Sequence, residues 1–328
     1  MPQTRWGFER AARFTYVSRS DDRMNNGDID AYTWVNRVIG EQMKRRTRRK
    51  LWLHAGLFIL TVLSTFFVGL GDGVTGALWY SGGIMTILLT HEMGHFLMAR
   101  KHGIPASLPY FIPVPLPPFG TMGAVIKMEG RVPDRRALFD VGTAGPLAGL
   151  AMIIPAVYVG LRLSSIHQTA DLAGTTLPLG DSLLFKLIAR AALGPLPQGH
   201  DIFLHPLAFA GWVGLLVTAI NLIPVGQLDG GHVVYALFGK RSRWVAGVFY
   251  AAFFTIFLFF YVGWILPVIL LLVIRRHPPT VNDALPLDGL RKVLGWAVMA
   301  IFILSFTPVP FGVTDGLVPL IVNILNAG

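Results

Sequence analysis

Residues Leu51–Leu70 form an unbroken run of twenty residues with one histidine and no formal charge. A helix of that length and character crosses the hydrocarbon core of a bilayer. Further apolar stretches extend from about Gly76 to Ala99, from Ala137 to Leu163, from near Leu207, from Val245 to Ile274 and from Val293 to about Phe306. Charged residues make up 14% of the chain, against about 25% in a soluble domain. An ordinary soluble enzyme, a disordered regulator and a nucleic-acid-binding module are thereby excluded. The sequence instead predicts an all-α polytopic membrane protein with about six to seven transmembrane helices. Between the second and third spans, Pro105, Pro109, Pro113, Pro115, Pro117 and Pro118 forbid a regular helix. Thr121–Met128 after them reads as a short, membrane-associated β segment.

The net charge of +10 is concentrated where it sets topology. Residues 1–50 hold 12 Lys/Arg against 6 Asp/Glu and end in a basic run from Lys44 to Lys50. Such a run just before an apolar stretch is a topology signal rather than a nucleic-acid patch. No small-residue cleavage site follows the first apolar segment, which therefore stays as a span. With the N-terminus in the cytoplasm and Val245–Ile274 folded as a hairpin at Val262-Gly263-Trp264, 25 of the 28 basic residues fall on the inner side. Arg131, Arg135 and Arg136, with Asp134 and Asp140, read as anchors at the cytoplasmic rim. The expected organisation is a basic cytoplasmic extension over 1–50, a core over 51–310 and an apolar interfacial tail over 311–328. The expected location is the cell membrane, with the N-terminus cytoplasmic.

Inside the second span sits Thr90-His91-Glu92-Met93-Gly94-His95. Residues four apart share one helix face, so His91 and His95 can bind one metal ion together. Glu92 beside them is placed to accept a proton from water that the metal activates. Two histidines and a glutamate in an apolar span are costly unless paired, and mark function by default. A catalytic zinc site needs a third protein ligand and an open position, and the chain has no cysteine. Asp229 is the candidate. It is the acid inside a later apolar segment with no nearby base, where Pro224, Gly226, Gly230 and Gly231 interrupt the helix. His95 and His91 lie about 7–14 Å from the basic boundary at Arg100, and Asp229 about 16 Å from Lys240, at 1.5 Å per residue. His232 is either a partner of the site or a helix-packing residue. His54 reads as a core histidine, and His102, His167, His200, His205 and His277 as solvated.

These residues resemble the site-2 proteases, the intramembrane zinc metalloproteases. The resemblance is carried by His91-Glu92-x-x-His95, by Asn221-x-x-Pro224 and by Leu228-Asp229-Gly230. Gly120-Thr121-Met122-Gly123-Ala124-Val125-Ile126 and Phe139-Asp140-Val141-Gly142-x-x-Gly145-Pro146-Leu147-Ala148-Gly149 look like further family segments, and together they cover roughly residues 51–310. The resemblance implies one Zn2+ per chain held by His91, His95 and Asp229, with Glu92 as catalytic acid and base. It also implies that Asn221 helps hold substrate or the geometry of the site. The variant expected here lacks the PDZ and CBS domains of other members.

The implied reaction is hydrolysis of a peptide bond within or near the transmembrane segment of a single-span membrane protein. Membrane-bound transcriptional regulators and anti-sigma factors are the class of partner; the lipid bilayer is the other, and nucleic acid is not one. Thr121–Met128 is either an edge for β-addition of the unwound substrate or a plain membrane-surface hairpin. Two other readings compete: a metal-ion transporter, which calls for polar residues along several spans, and a non-proteolytic membrane scaffold, which would usually have lost Glu92 or a ligand.

Overall fold

The computed structural model describes residues 33–42, 45, 50–129, 131–172, 177–273, 279–312 and 316–320. Residues 33–42 are helical; most of the rest of the N-terminal extension, His277 and most of the 311–328 tail lie outside the described residues.

The first apolar run becomes α1 (Leu51–Gly69), joined through a 3-10 turn at Leu70–Asp72 to α2 (Gly73–Lys101). A straight helix over both would be about 77 Å long, more than twice a bilayer core. Gly73 at φ +76° makes the reversal, and α2 returns antiparallel along α1. Thr65 Oγ1 and Ser81 Oγ meet across the pair at 2.8 Å.

From the far side of α2 the Pro-rich stretch forms β1 (Tyr110–Pro113), antiparallel to β2 (Thr121–Val125). Tyr110 faces Val125 and Phe111 faces Ala124, with an irregularity before Pro113. The expected strand is thus present but ends earlier, and it pairs with a partner inside the stretch where the prolines exclude helix. Ser64 Oγ donates to the Gly120 carbonyl at 2.5 Å and Tyr80 Oη to that of Phe119 at 2.7 Å, which pins the hairpin tip into the α1–α2 pair.

The third run is α3 (Arg135–Arg162), whose Asp134 cap accepts from the amides of Arg136 and Ala137. A second two-stranded sheet follows, β3 (Ser165–Gln168) against β4 (His200–Phe203). Between its strands lie α4 (Thr169–Leu172) and the amphipathic α5 (Leu183–Leu193). This sheet corrects the expectation of a single β segment: the 164–206 stretch lacks apolar alternation because all four β3 residues are exposed. The chain then forms α6 (Pro206–Asn221), a turn, and α7 (Asp229–Phe238), which leads through a 3-10 turn into α8 (Ser242–Phe259). The break expected at Val262-Gly263-Trp264 is a 3-10 turn before α9 (Ile265–Val273), and Tyr250 Oη donates to the Leu271 carbonyl at 2.7 Å, so α9 folds back on α8. The last helix is α10 (Gly289–Ser305).

Helices α2, α3 and α6 pack as the centre, with α7 against α3. Their contacts bury Ile84, Ile87, Phe139, Ile153, Val157, Leu161 and Leu215. Many large apolar side chains elsewhere face outward, among them Phe67, Leu78, Val248 and Phe254, as lipid contact requires. Among the described residues, three helical runs are long and apolar enough to cross a membrane: Leu51–Lys101, which holds the α1–α2 hairpin, Arg135–Arg162 and Asp229–Phe259. Pro206–Asn221 is a shorter apolar helix. The chain is a membrane protein of mostly helical fold.

Candidate metal centre

His91, Glu92 and His95 lie deep within α2, each less than a tenth exposed. The four-residue spacing sets the two imidazoles on one face, with His91 Nε2 and His95 Nε2 3.2 Å apart. Asp229 arrives from another helix. The chain leaves α6 at Asn221, turns through Leu222–Leu228 and starts α7 with Asp229 itself. A carboxylate at a helix N-terminus is favoured by the helix dipole. Asp229 Oδ2 stands 3.4 Å from His91 Nε2 and 3.2 Å from His95 Nε2.

This triangle can be tested against a metal. Ligand atoms at about 2.0–2.2 Å around a tetrahedral zinc are separated by about 3.3–3.6 Å. The observed edges of 3.2–3.4 Å match that spacing closely. Among the described residues, these three form the group of donors close enough to hold one ion. Two imidazoles and one carboxylate suit zinc.

The surroundings orient each donor. His95 Nδ1 bonds the Val141 carbonyl of α3 at 2.8 Å, which leaves Nε2 for the metal. Space for the rings comes from α3: a Cβ on Gly145 would overlap the His95 ring, and one on Gly149 would lie 3.2 Å from His91 Nδ1. The glycine spacing that reads in sequence as close helix packing is therefore also the room the imidazoles occupy. The backbone of Ile126, just past β2, lies beside the Glu92 carboxylate.

Asn221 Nδ2 is 3.3 Å from His91 Nε2, so the last residue of α6 borders the donor triangle. His232 lies outside the triangle, its Cβ directed at Gly142 of α3. His54 is buried in α1 with Nδ1 on the Pro109 carbonyl at 3.1 Å and its ring 4.1 Å from that of Tyr110, while Nε2 has no partner among the described residues.

Several residues read as rim or solvent have specific partners instead. Arg135 Nε donates to the Ala236 carbonyl at 2.8 Å, and Nη2 to that of Leu237 at 2.9 Å, closing the C-terminal end of α7. Asp140 pairs with His102 at 2.9 Å and with Arg291. His205 caps α6 by accepting from the Leu207 amide at 3.2 Å. These partners lie far apart in sequence or depend on local backbone turns, so composition and charge pattern did not announce them.

The profile of peptidase family M50 matches residues 79–263, more than half of the chain and all six residues of the predicted site. The chain belongs to peptidase family M50. Among its M50 relatives, the probable zinc metalloprotease EGY1, chloroplastic, of Arabidopsis thaliana is 37% identical over 247 residues, covering 72% of this chain and 44% of that protein. Its Oryza sativa subsp. japonica counterpart is 41% identical over 178 residues, 53% of this chain and 30% of the relative. The probable zinc metalloprotease EGY2, chloroplastic, of Arabidopsis thaliana is 30% identical over 290 residues, covering 80% and 50%. The chain thus spans half or less of the length of these relatives. No solved structure matches it.

Proposed function

We propose that this chain is an intramembrane zinc metalloprotease that hydrolyses peptide bonds within or beside the transmembrane segment of another membrane protein. The observation that carries this reading is the donor triangle of His91, His95 and Asp229, spaced for one zinc ion, with Glu92 next to it inside an apolar helix. The family membership and the names of the relatives support the same chemistry.

Bound zinc supplies a Lewis acid and lowers the pKa of water toward neutrality. Glu92 takes the proton from the attacking water and returns it to the leaving amine. Its buried carboxylate lies beside the Ile126 backbone, just past β2. The side-chain amide of Asn221 donates to the substrate carbonyl beside His91. A helical peptide bond is shielded, so the substrate is cut as an extended segment. The edge of β2 away from β1 receives it by β-addition, and Ile126 places that edge next to Glu92.

The chain crosses the membrane six or seven times with the N-terminus in the cytoplasm. Exposed Trp52, Trp244 and Trp296 lie within a few residues of Lys50, Arg243 and Lys292, the arrangement of an interfacial aromatic belt beside basic loops. That belt supports a site in the cytoplasmic third of the bilayer, with water entering from there. The substrate is a single-span membrane protein, with membrane-bound transcriptional regulators and anti-sigma factors as the leading class.

The test uses detergent-purified protein, elemental analysis and a single-span model substrate. One zinc per chain is expected, with cleavage abolished in Glu92→Gln while zinc is retained, and zinc weakened in Asp229→Ala. Cleavage that survives in Glu92→Gln would overturn the catalytic assignment.

A further inference from the structure

The matched family region ends at residue 263, yet α10, which begins at Gly289, is tied to the metal centre. Arg291 reaches across to Asp140 of α3 in a two-pronged pair, Nε to Oδ1 at 2.7 Å and Nη2 to Oδ2 at 2.7 Å. The same guanidinium holds Asp288, the cap of its own helix. His102, at the end of the helix that carries His91 and His95, bonds Asp140 Oδ2 at 2.9 Å. The residue after Asp140 is Val141, whose carbonyl receives His95 Nδ1 at 2.8 Å. A bidentate arginine–carboxylate pair fixes both distance and orientation, so the pair sets the register of α3 at the peptide that orients a donor ring.

We propose that Arg291 is a positioning residue for the metal centre, acting through Asp140 and the Val141 carbonyl on His95. The inference rests on the reading of His91, His95 and Asp229 as zinc ligands. It makes α10 part of the working site although it contributes no donor. The guanidinium fork, rather than charge alone, does the holding, because an ammonium cannot meet both carboxylate oxygens in one plane.

The test is zinc affinity, measured by competition with a chelator on the full chain in detergent, together with the visible spectrum of the cobalt-substituted protein. Groups that orient a metal-ligating histidine from outside the ligand set typically account for about 10–100-fold in metal affinity. Arg291→Gln is expected to weaken zinc at least about tenfold and to shift the cobalt bands. Arg291→Lys, which keeps the charge, is expected to fall between it and wild type and serves where the glutamine variant does not fold. Asp288→Ala, which removes the helix cap but leaves the Asp140 pair, is expected to lower thermal stability and leave zinc affinity unchanged. Wild-type zinc affinity and cobalt spectrum in either Arg291 variant, whatever the melting temperature, would overturn the proposal. Absence of zinc from the wild-type protein would instead overturn the zinc reading itself.

Discussion

The His95 imidazole lies against the bare Cα of Gly145, so that a methyl group there would overlap the ring. The ring cannot retreat without leaving the donor triangle and the Val141 carbonyl. Over-packing a tight site costs about 1–3 kcal/mol, and here the strain falls on one corner of the donor triangle. Gly145→Ala is expected to reduce bound zinc to about a tenth of wild type or less. Gly149→Ala, whose Cβ would sit at 3.2 Å from His91, is expected to stay within about threefold. Elemental analysis of the two purified variants checks the contrast, and equal zinc contents would refute it.

Asn221 borders the triangle without belonging to it. Loss of a donor that stabilises developing charge reduces kcat by about 100–1,000-fold. Asn221→Ala is accordingly expected to lower kcat by about that factor and to keep one zinc per chain. Full activity with reduced zinc would reassign it to the geometry of the metal.

Arg135 holds the carbonyls at one end of α7, and Asp229 stands at the other. Hydrogen bonds to a charged group contribute about 1.5–3 kcal/mol, and part of that returns to solvent at this half-buried site. Arg135→Ala is expected to destabilise the protein by about 1–2 kcal/mol. Thermal unfolding in detergent reads the loss, which should be smaller when the metal is bound.

His205 Nδ1 accepts from the Leu207 amide at the start of α6 and can do so only while unprotonated. Burial holds its pKa below the ordinary histidine value, against an opposing pull from Asp72. A histidine with a depressed folded pKa contributes stability that is complete above about pH 6.5 and is lost as pH falls through the folded value. His205→Asn, which supplies a side-chain acceptor that does not titrate in this range, is expected to flatten the fall in melting temperature below about pH 6.5. An unchanged acid-side slope in the variant would count against the cap.

Local chemistry was the legible part. The His91–His95 spacing, Asp229 in a broken apolar segment and the break at Val262-Gly263-Trp264 all follow from periodicity, helix-breaking residues and the cost of burying charge. The β2 strand was visible between glycine and proline signals, but β1 was hidden among the prolines. The β3–β4 sheet was hidden because β3 is exposed throughout and β4 has only four residues, His200–Phe203, in which to alternate. Asp140 and Arg291 are 151 residues apart, and Arg135 is 101 from Ala236. Asp140 and Arg135 looked like ordinary rim charges, because pairing at that separation is a property of topology and leaves no mark on the neighbouring sequence. The same holds for Gly145, whose role depends on which side chain α2 turns toward it.

Asp229 follows His95 by 134 residues. At about 5–20 residues per second of synthesis, the helix with both histidines and the glutamate is inserted roughly 7–27 seconds before the third donor exists. During that interval the nascent chain has Glu92 and two of the three donors but not the closed triangle. Under the proposed protease reading, the newborn chain has no closed donor triangle until α7 has folded back against α3.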